Sequence, residues 1–273
     1  MSSLLTVNSL SKAYRGSDKK AVDGISLELN GGEIFGFLGP NGAGKSTTIK
    51  CLTGIYAYQD GEIIVCGDDL KKNPVAAKKH IGYVPDEHIF YENLKAIDYI
   101  NFIADVYEVE ESLRKERVER LTALLGLSDR LNEKISSYSH GMKQKLSVVC
   151  ALVHDPEIWI LDEPMTGLDP QSSFNLKQLM VEHAAAGKLV FFSSHVLEVV
   201  EKVCTRVAII DNGKIIADGN MDELKAKRSD ESLEELFLGL TKEAEEASQS
   251  VEIPQAEFKP KRRGLFGRKD DLL

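Results

Sequence analysis

The chain has 273 residues, of which 42% are hydrophobic and 28% charged, and its formal net charge is -9. This length allows one sizeable core, and the acidic balance argues against a nucleic-acid partner, which requires a basic face. The four cysteines are far apart, without the close spacing of zinc or dithiol sites, and no run approaches the roughly 20 apolar residues of a membrane span. We therefore expect a cytoplasmic protein that does not itself cross a membrane.

The first part of the chain has the pattern of a β-rich unit. Apolar residues alternate over 4–10 and 21–29, which predicts half-exposed antiparallel strands, and a turn at 30–32 leads into the apolar run 34–38. A further strand is predicted over 61–67, closed by glycine. We expect these strands to form an antiparallel edge beside the segment at 39–47.

That segment, GPNGAGKST, fits the phosphate-binding pattern of glycine, four residues, glycine, lysine and hydroxyl. Glycines let backbone amides approach phosphate oxygens closely, and helical spacing after Lys45 adds a helix N-terminus beneath them. We expect Lys45 to reach the β- and γ-phosphates of a bound triphosphate and Ser46 to hold Mg²⁺. A turn that binds nothing is disfavoured by the strand before it and the helix after it. The expected phosphate-binding residues are Gly39, Pro40, Asn41, Gly42, Ala43, Gly44, Lys45, Ser46 and Thr47.

The middle of the chain is predicted to be helical. After a short strand at 81–84, helices are predicted over 93–107, 111–125 and 139–153. Ser139 suits an N-cap, and the apolar residues of the third helix share one face. We expect this block, about 86–153, to be a helical subdomain inserted into the strand pattern.

Strands then return and alternate with helices. Strands are predicted over 157–164, 188–192, 207–211 and 214–218, with helices over 172–186 and after His195. Such alternation predicts a parallel sheet with crossover helices. The expected fold class is α/β: a P-loop NTPase core with a mostly parallel sheet, an antiparallel β edge and an inserted α-helical subdomain.

Two adjacent carboxylates end the strand ILDEP. A buried parallel strand would deliver Asp162 and Glu163 to the carboxyl edge of the sheet. There Asp162 is expected to bind Mg²⁺ directly or through water, and Glu163 to orient or deprotonate the attacking water. A structural acidic pair in a turn is the alternative.

The C-terminal part is predicted to differ from the rest. A helix at 229–240 carries an apolar stripe, which we interpret as packing, with a partner site as the alternative. Residues 241–273 are expected to be a flexible charged tail, acidic and then basic. In FKPKRRGLFGRK, six basic residues are interleaved with Phe258, Leu265 and Phe266. This segment could contact anionic lipid, and a solvated charge run without function is the alternative.

Taken together, the motifs resemble those of ATP-binding cassette (ABC) ATPases. The phosphate loop, YSHGMKQKL at 138–146, ILDEP, TGLDP at 166–170 and SSH at 193–195 occur in that family's order, and the resemblance covers roughly residues 4–225. It implies an ATPase in which Tyr14 stacks on adenine, Asp162 binds the metal and Glu163 is the catalytic carboxylate. It also implies that His195 contacts the γ-phosphate. Packing is the alternative for Tyr14, and a core histidine is the alternative for His195.

The signature segment departs from the family pattern. The usual leucine, serine, glycine, glycine, glutamine is replaced by YSHGM, which keeps only the serine, Ser139, and the second glycine, Gly141. This substitution resembles the bacterial efflux branch. The resemblance implies that both residues contact the γ-phosphate bound by another subunit, and that Asp169 lies at the dimer seam.

A second departure concerns Asp86. The family has glutamine at this position, after the strand that precedes the helical block. A carboxylate can still meet Mg²⁺, directly or through water, so we include Asp86 in the expected metal site with Ser46 and Asp162.

The resemblance also implies partners. Each ATP would lie between one subunit's phosphate loop and another's signature, so residues 1–228 would form a nucleotide-binding domain that acts as a homodimer or heterodimer. A separate membrane permease would dock near residues 86–99 at the cytoplasmic face of the membrane, most simply for export. Two alternatives are a soluble ABC ATPase with a non-transport role and a cassette that only binds ATP.

Overall fold

The computed structural model describes residues 3–17 and 19–220, and beyond them only positions 223, 235, 237 and 239. The tail predicted at 241–273 therefore lies outside the described residues, as does most of the helix predicted at 229–240. Phe237, one of the described positions, packs against the buried core.

Between residues 3 and 220 the chain forms ten strands, seven α-helices and two short 3-10 helices, Ser128–Arg130 and Ile135–Ser137. The strands are β1 (Ser3–Ala13), β2 (Lys20–Asn30), β3 (Ile34–Leu38), β4 (Asp60–Val65), β5 (Asp68–Asp69), β6 (Ile81–Val84), β7 (Ile158–Leu161), β8 (Leu189–Ser194), β9 (Arg206–Asp211) and β10 (Lys214–Asn220). The helices are α1 (Lys45–Leu52), α2 (Pro74–Lys79), α3 (Ala96–Val106), α4 (Glu111–Leu125), α5 (His140–Leu152), α6 (Pro170–Ala185) and α7 (Leu197–Val203).

The strands form two sheets. One is antiparallel, in the order β2-β1-β4-β5, and the other has six strands in the order β10-β9-β3-β8-β7-β6. In the second sheet β9, β3, β8, β7 and β6 are parallel, and β10 is antiparallel to β9. The expected α/β fold with a mostly parallel core and an antiparallel β edge is confirmed.

Central strands of the larger sheet are buried throughout. Every residue of β3, β7 and β8 is buried, because a parallel sheet is covered on both faces and its strands are continuous apolar runs. Since these strands are parallel, their carboxyl ends meet at one edge. The chain segments that come directly after them are the phosphate loop, the acidic pair and His195.

The helices between β6 and β7 enclose a common core. Ile100 of α3, Leu121 of α4 and Leu146 of α5 are buried in it, as the apolar spacing predicts. As predicted, α5 has Ser139 as its N-cap, whose side chain accepts a hydrogen bond from the Met142 amide. Among the described residues, no helix has both the length and the apolar character needed to span a bilayer.

Several element boundaries differ from the prediction. Helix α3 begins at Ala96 rather than 93, because the carbonyls of Glu92 and Leu94 accept hydrogen bonds from the amides of residues 136 and 135. Helix α6 begins at Pro170 rather than 172, because Asp169 caps it by accepting from the Ser172 amide at 2.9 Å. The pattern did not predict the short helix α2 or the two-residue strand β5.

Candidate active site

The phosphate loop is wedged between the two sheets. A Cβ on Gly39 would lie 2.3 Å from the Ile210 carbonyl of β9, and one on Gly44 would lie 2.4 Å from the Ala21 carbonyl of β2. Gly42 has φ +81° with open space around it, so its need for glycine is conformational. A larger side chain at 39 or 44 would push the loop off its supports.

Lys45 is enclosed by this loop. Its ammonium donates to the carbonyls of Gly39 at 2.7 Å and Pro40 at 3.2 Å, and it lies 3.9 Å from Oε1 of Glu163. The side chain is only 7% exposed, and this burial lowers the pKa of Lys45 in spite of the opposing charges of Glu163 and Asp162. A buried cation in the centre of the loop suits phosphate oxygens as partners.

Asp162 joins the loop to two neighbouring strands. Its Oδ1 accepts from the Ser46 hydroxyl at 3.3 Å and from the Ser193 hydroxyl at 2.6 Å, and the residue is 1% exposed. Hydroxyl and carboxylate oxygens are the ligands Mg²⁺ prefers, and this ion is usually held by one or two carboxylates together with substrate phosphates. The residues present therefore fit a magnesium ion next to Ser46.

Glu163 stands at the end of the same strand in an unusual conformation. Its φ of +49° lies in the left-handed region, which costs a non-glycine residue free energy and is concentrated at functional sites. Its amide donates to the Ser193 hydroxyl at 3.0 Å, and its Oε2 lies 2.8 Å from Nδ1 of His195. One carboxylate oxygen thus faces the histidine and the other faces Lys45.

Two adjoining depressions surround these groups. The first, about 380 Å³, is lined by Tyr14, Ala21, Asn41, Gly42, Gly44, Lys45, Ser46, Thr47, Asp86 and Glu163. The second, about 400 Å³, shares Ser46 and Asp86 and also includes Asp162. The structure therefore brings Asp86 to the same opening as the phosphate loop, although it lies 40 residues further along the chain than Ser46.

Tyr14 lies beside the loop and is 45% exposed. Its hydroxyl is 2.9 Å from the Thr47 hydroxyl. An aromatic face at the rim of a phosphate-binding depression can stack on a nucleobase, and base stacking on such rings is worth about 1–3 kcal/mol.

The signature residues lie elsewhere. Ser139 and Gly141 line neither depression, and Gly141 packs against the segment before α6, where a Cβ would come 2.7 Å from the Gly167 carbonyl. In that segment Asp169 also accepts from Lys145 at 3.2 Å, and its contacts with Ser172 and Lys145 lower its pKa. The described chain therefore presents the phosphate loop and the signature as two separate sites.

Sequence reasoning missed one functional residue, Ser193. The SSH segment contains it, but the motif assigns it no role, whereas its hydroxyl contacts both Asp162 and the Glu163 amide. The feature that could have indicated its role is its position in β8, because β8 neighbours β7, the strand that ends at the acidic pair.

Comparisons with known proteins show which family the chain resembles. A family model described as "ABC transporter" matches residues 22–166. An ABC transporter ATP-binding protein of Nostoc sp. is 38% identical over 229 residues, which cover 81% of this chain and 68% of that protein. The linearmycin resistance ATP-binding protein LnrL of Bacillus subtilis is 37% identical over 241 residues, 88% of this chain and 77% of that one. A solved structure of an ATP-binding subunit of an ABC transporter superposes with a TM-score of 0.83 at 32% identity, covering 87% of this chain and 99% of the other.

Proposed function

The chain belongs to the ABC transporter family of ATP-binding subunits and is an ATPase, and from this premise we propose that it hydrolyses ATP at the described site to power a separate membrane permease. The observation that carries the proposal is the position of Glu163. Its two carboxylate oxygens face Lys45 on one side and His195 on the other, directly beside the phosphate loop.

The proposed reaction uses these groups in a defined order. ATP binds with its base on Tyr14 and its β- and γ-phosphates against the loop amides and Lys45. Glu163 takes a proton from water as the water oxygen attacks the γ-phosphorus, the bond between that phosphorus and the bridging oxygen breaks, and ADP and phosphate leave. His195 holds the γ-phosphate and keeps Glu163 oriented through the 2.8 Å contact.

We assign the magnesium site to Ser46 and Asp162, with Asp86 lining the same opening. Mg²⁺ bound there would neutralise charge on the β- and γ-phosphates. Ser193 keeps the Asp162 carboxylate in place through its 2.6 Å hydrogen bond. Asp86 is exposed and lines both depressions, so it can respond to the metal and pass the change to a partner.

A second cassette completes the site. The segment Ser139 to Gly141 is exposed or half-buried at the N-terminus of α5 and lines neither depression of its own chain. A serine hydroxyl at a helix N-terminus suits a γ-phosphate presented by another subunit. We therefore propose that two cassettes, identical or not, close on two ATP molecules and separate after hydrolysis.

The permease is expected to dock where the chain leaves β6. Here Ile89 is 88% exposed and Tyr91 67% exposed, and the ring of Tyr91 lies 6.4 Å from that of Phe102. Such a patch next to Asp86 suits a partner at the cytoplasmic face of the membrane. Export is supported by the efflux-like signature and by LnrL, whose name describes resistance.

Glu163→Gln tests the mechanism. The variant should bind ATP with unchanged affinity but hydrolyse it about two orders of magnitude more slowly, because the general base is lost, and it should accumulate as an ATP-bound dimer in size exclusion. Glu157→Gln, at the other end of β7, is the matched control and should hydrolyse ATP normally. Normal turnover by Glu163→Gln would mean that a residue other than Glu163 activates the attacking water.

Purification from membranes tests the partner. A transporter subunit should be isolated together with an integral membrane protein, and its ATPase rate should respond to that protein. An ATPase that stays free of membrane protein would favour the non-transport alternative.

A further inference from the structure

Tyr14 is supported by the chain segment 56–59, which carries none of the roles assigned above, although Tyr56 also lines the depression that includes Asp162. Strand β1 ends at Ala13, and the side-chain amide of Gln59 binds both backbone groups of that residue. The Ala13 amide donates to Gln59 Oε1 at 3.0 Å, and Gln59 Nε2 donates to the Ala13 carbonyl at 3.0 Å. The glutamine thus fixes the residue directly before Tyr14 with two hydrogen bonds.

The ring of Tyr14 is supported by Tyr56. The two ring centroids are 6.1 Å apart at 87°, an edge-to-face contact of the kind worth about 0.5–1.5 kcal/mol beyond area burial. The Lys12 ammonium lies 5.8 Å from the Tyr14 ring and 5.9 Å from the Tyr56 ring, and it donates to the Ala57 carbonyl at 2.6 Å.

This support is attached to the helix that begins at the phosphate loop. The amides of Ile55 and Tyr56 both donate to the carbonyl of Lys50 in α1, at 2.9 and 2.8 Å. Helix α1 starts at Lys45, so the phosphate loop and the segment that supports Tyr14 are attached to opposite ends of one helix. The distance between base site and phosphate site is thereby fixed.

We infer that Tyr56 and Gln59, which we call the Tyr14 clamp, are positioning residues that hold Tyr14 ready for the purine base. The inference rests on the proposed role of Tyr14. An exposed ring at a strand end would otherwise lose loop and rotamer freedom when the base binds, and holding it in place beforehand removes that cost. The clamp therefore acts on base affinity and leaves the reaction at the γ-phosphate unchanged.

The test compares ligands with and without a base. Titration calorimetry should show Gln59→Ala weakening ATP affinity by about five- to tenfold, the scale of one or two hydrogen bonds, with unchanged affinity for inorganic tripolyphosphate. KM for ATP should rise and kcat should stay constant. Tyr56→Ala should also weaken ATP affinity, and Tyr56→Phe should retain normal affinity.

The matched control is Asn8→Ala. Asn8 makes a side-chain contact between β1 and β4, to Glu62 at 3.3 Å, but lies away from Tyr14, so its removal should leave ATP affinity unchanged. In a Tyr14→Ala background Gln59→Ala should have no further effect, because the clamp acts through the missing ring.

Three results would overturn the inference. Gln59→Ala could leave ATP affinity unchanged, it could weaken tripolyphosphate equally, or it could weaken ATP further in the Tyr14→Ala background. Unchanged ATP affinity in Tyr14→Ala alone would instead contradict the proposed base site, and the clamp with it. The two failures are therefore distinguishable.

Discussion

At the scale of single residues, Lys45 shows how the site is prepared for phosphate. Its ammonium is buried and satisfied by two carbonyls of its own loop, so little polar surface has to be rearranged when phosphate oxygens arrive. A buried, prealigned cation is worth more than an exposed one, because the surroundings screen its field less.

We expect Lys45→Ala to weaken ATP affinity by roughly 30-fold or more, the scale for truncating one partner of a buried charge pair. Equilibrium titration with ATP measures this. Lys202→Ala, which removes an exposed lysine from α7, is the control and should bind normally. An unchanged affinity in Lys45→Ala would contradict the phosphate site.

For Asp86 we expect a role in coupling the ATP site to the permease. Asp86→Asn should lower permease-stimulated ATPase activity more than ATP affinity, because the carboxylate lies at the opening shared with Ser46 and beside the exposed patch at Ile89. Both quantities are measured on the complex with its permease. If ATP binding and stimulated activity fall equally, the residue has no coupling role.

At the scale of elements, α6 carries a buried histidine into the core. The His183 ring lies 5.7 Å from that of Trp159 in an edge contact, and burial lowers its pKa from 6.5 to about 4. The pKa of His154, stacked on Tyr107 at 3.7 Å, is likewise lowered to about 4 by burial. Both rings are therefore neutral in the folded protein at pH 5–7.

This predicts a loss of stability in mild acid. As the pH falls from about 7.5 to about 5, the unfolded chain takes up a proton at His183 while the folded chain does not, so the free energy of unfolding drops by about 2 kcal/mol for this ring. His183→Gln should remove that part of the pH dependence. The free energy of unfolding at each pH is measured by urea denaturation, followed by the fluorescence of Trp159, the single tryptophan. If the free energy of unfolding of the variant falls with pH as steeply as that of the original protein, His183 is not the source of the pH dependence.

Elements were predictable where the local pattern agreed with the tertiary context. Strands β3, β7 and β8 are apolar runs that the sheet buries completely, and Ser139 is a local cap. The start of α3 was missed because it depends on amides about 40 residues away. The motifs predicted which residues gather at the sheet edge, because each motif is a local pattern. Ser193 and Gln59 instead act through contacts between distant segments, which no short pattern encodes.

At the scale of the whole molecule, charge is unevenly distributed along the chain. The net charge is -9, yet six basic residues fall within 258–269. We propose that this part of the tail, outside the described residues, holds the ATPase near anionic lipid beside its permease, since each basic residue near such a surface is worth about 1 kcal/mol.

The complete chain should bind vesicles rich in phosphatidylserine at low salt and bind them more weakly at physiological salt, where screening is stronger. Truncation after Thr241 should abolish this binding while the ATPase rate stays unchanged. A full-length variant with the six basic residues replaced by glutamine separates charge from the contribution of Phe258, Leu265 and Phe266. Equal vesicle binding by the truncated and complete chains would remove the lipid role.

The wedged phosphate loop has a consequence for how the protein loses its structure. The Ala43 carbonyl accepts from the Gly213 amide at 2.8 Å, and the Gly213 carbonyl accepts from the Asp23 amide at 2.8 Å, so the loop links the turn between β9 and β10 to β2. Neither sheet can detach without breaking these links. ATP, which binds only the native loop, should therefore strengthen both sheets together, and melting should remain a single cooperative event whose midpoint rises with nucleotide concentration.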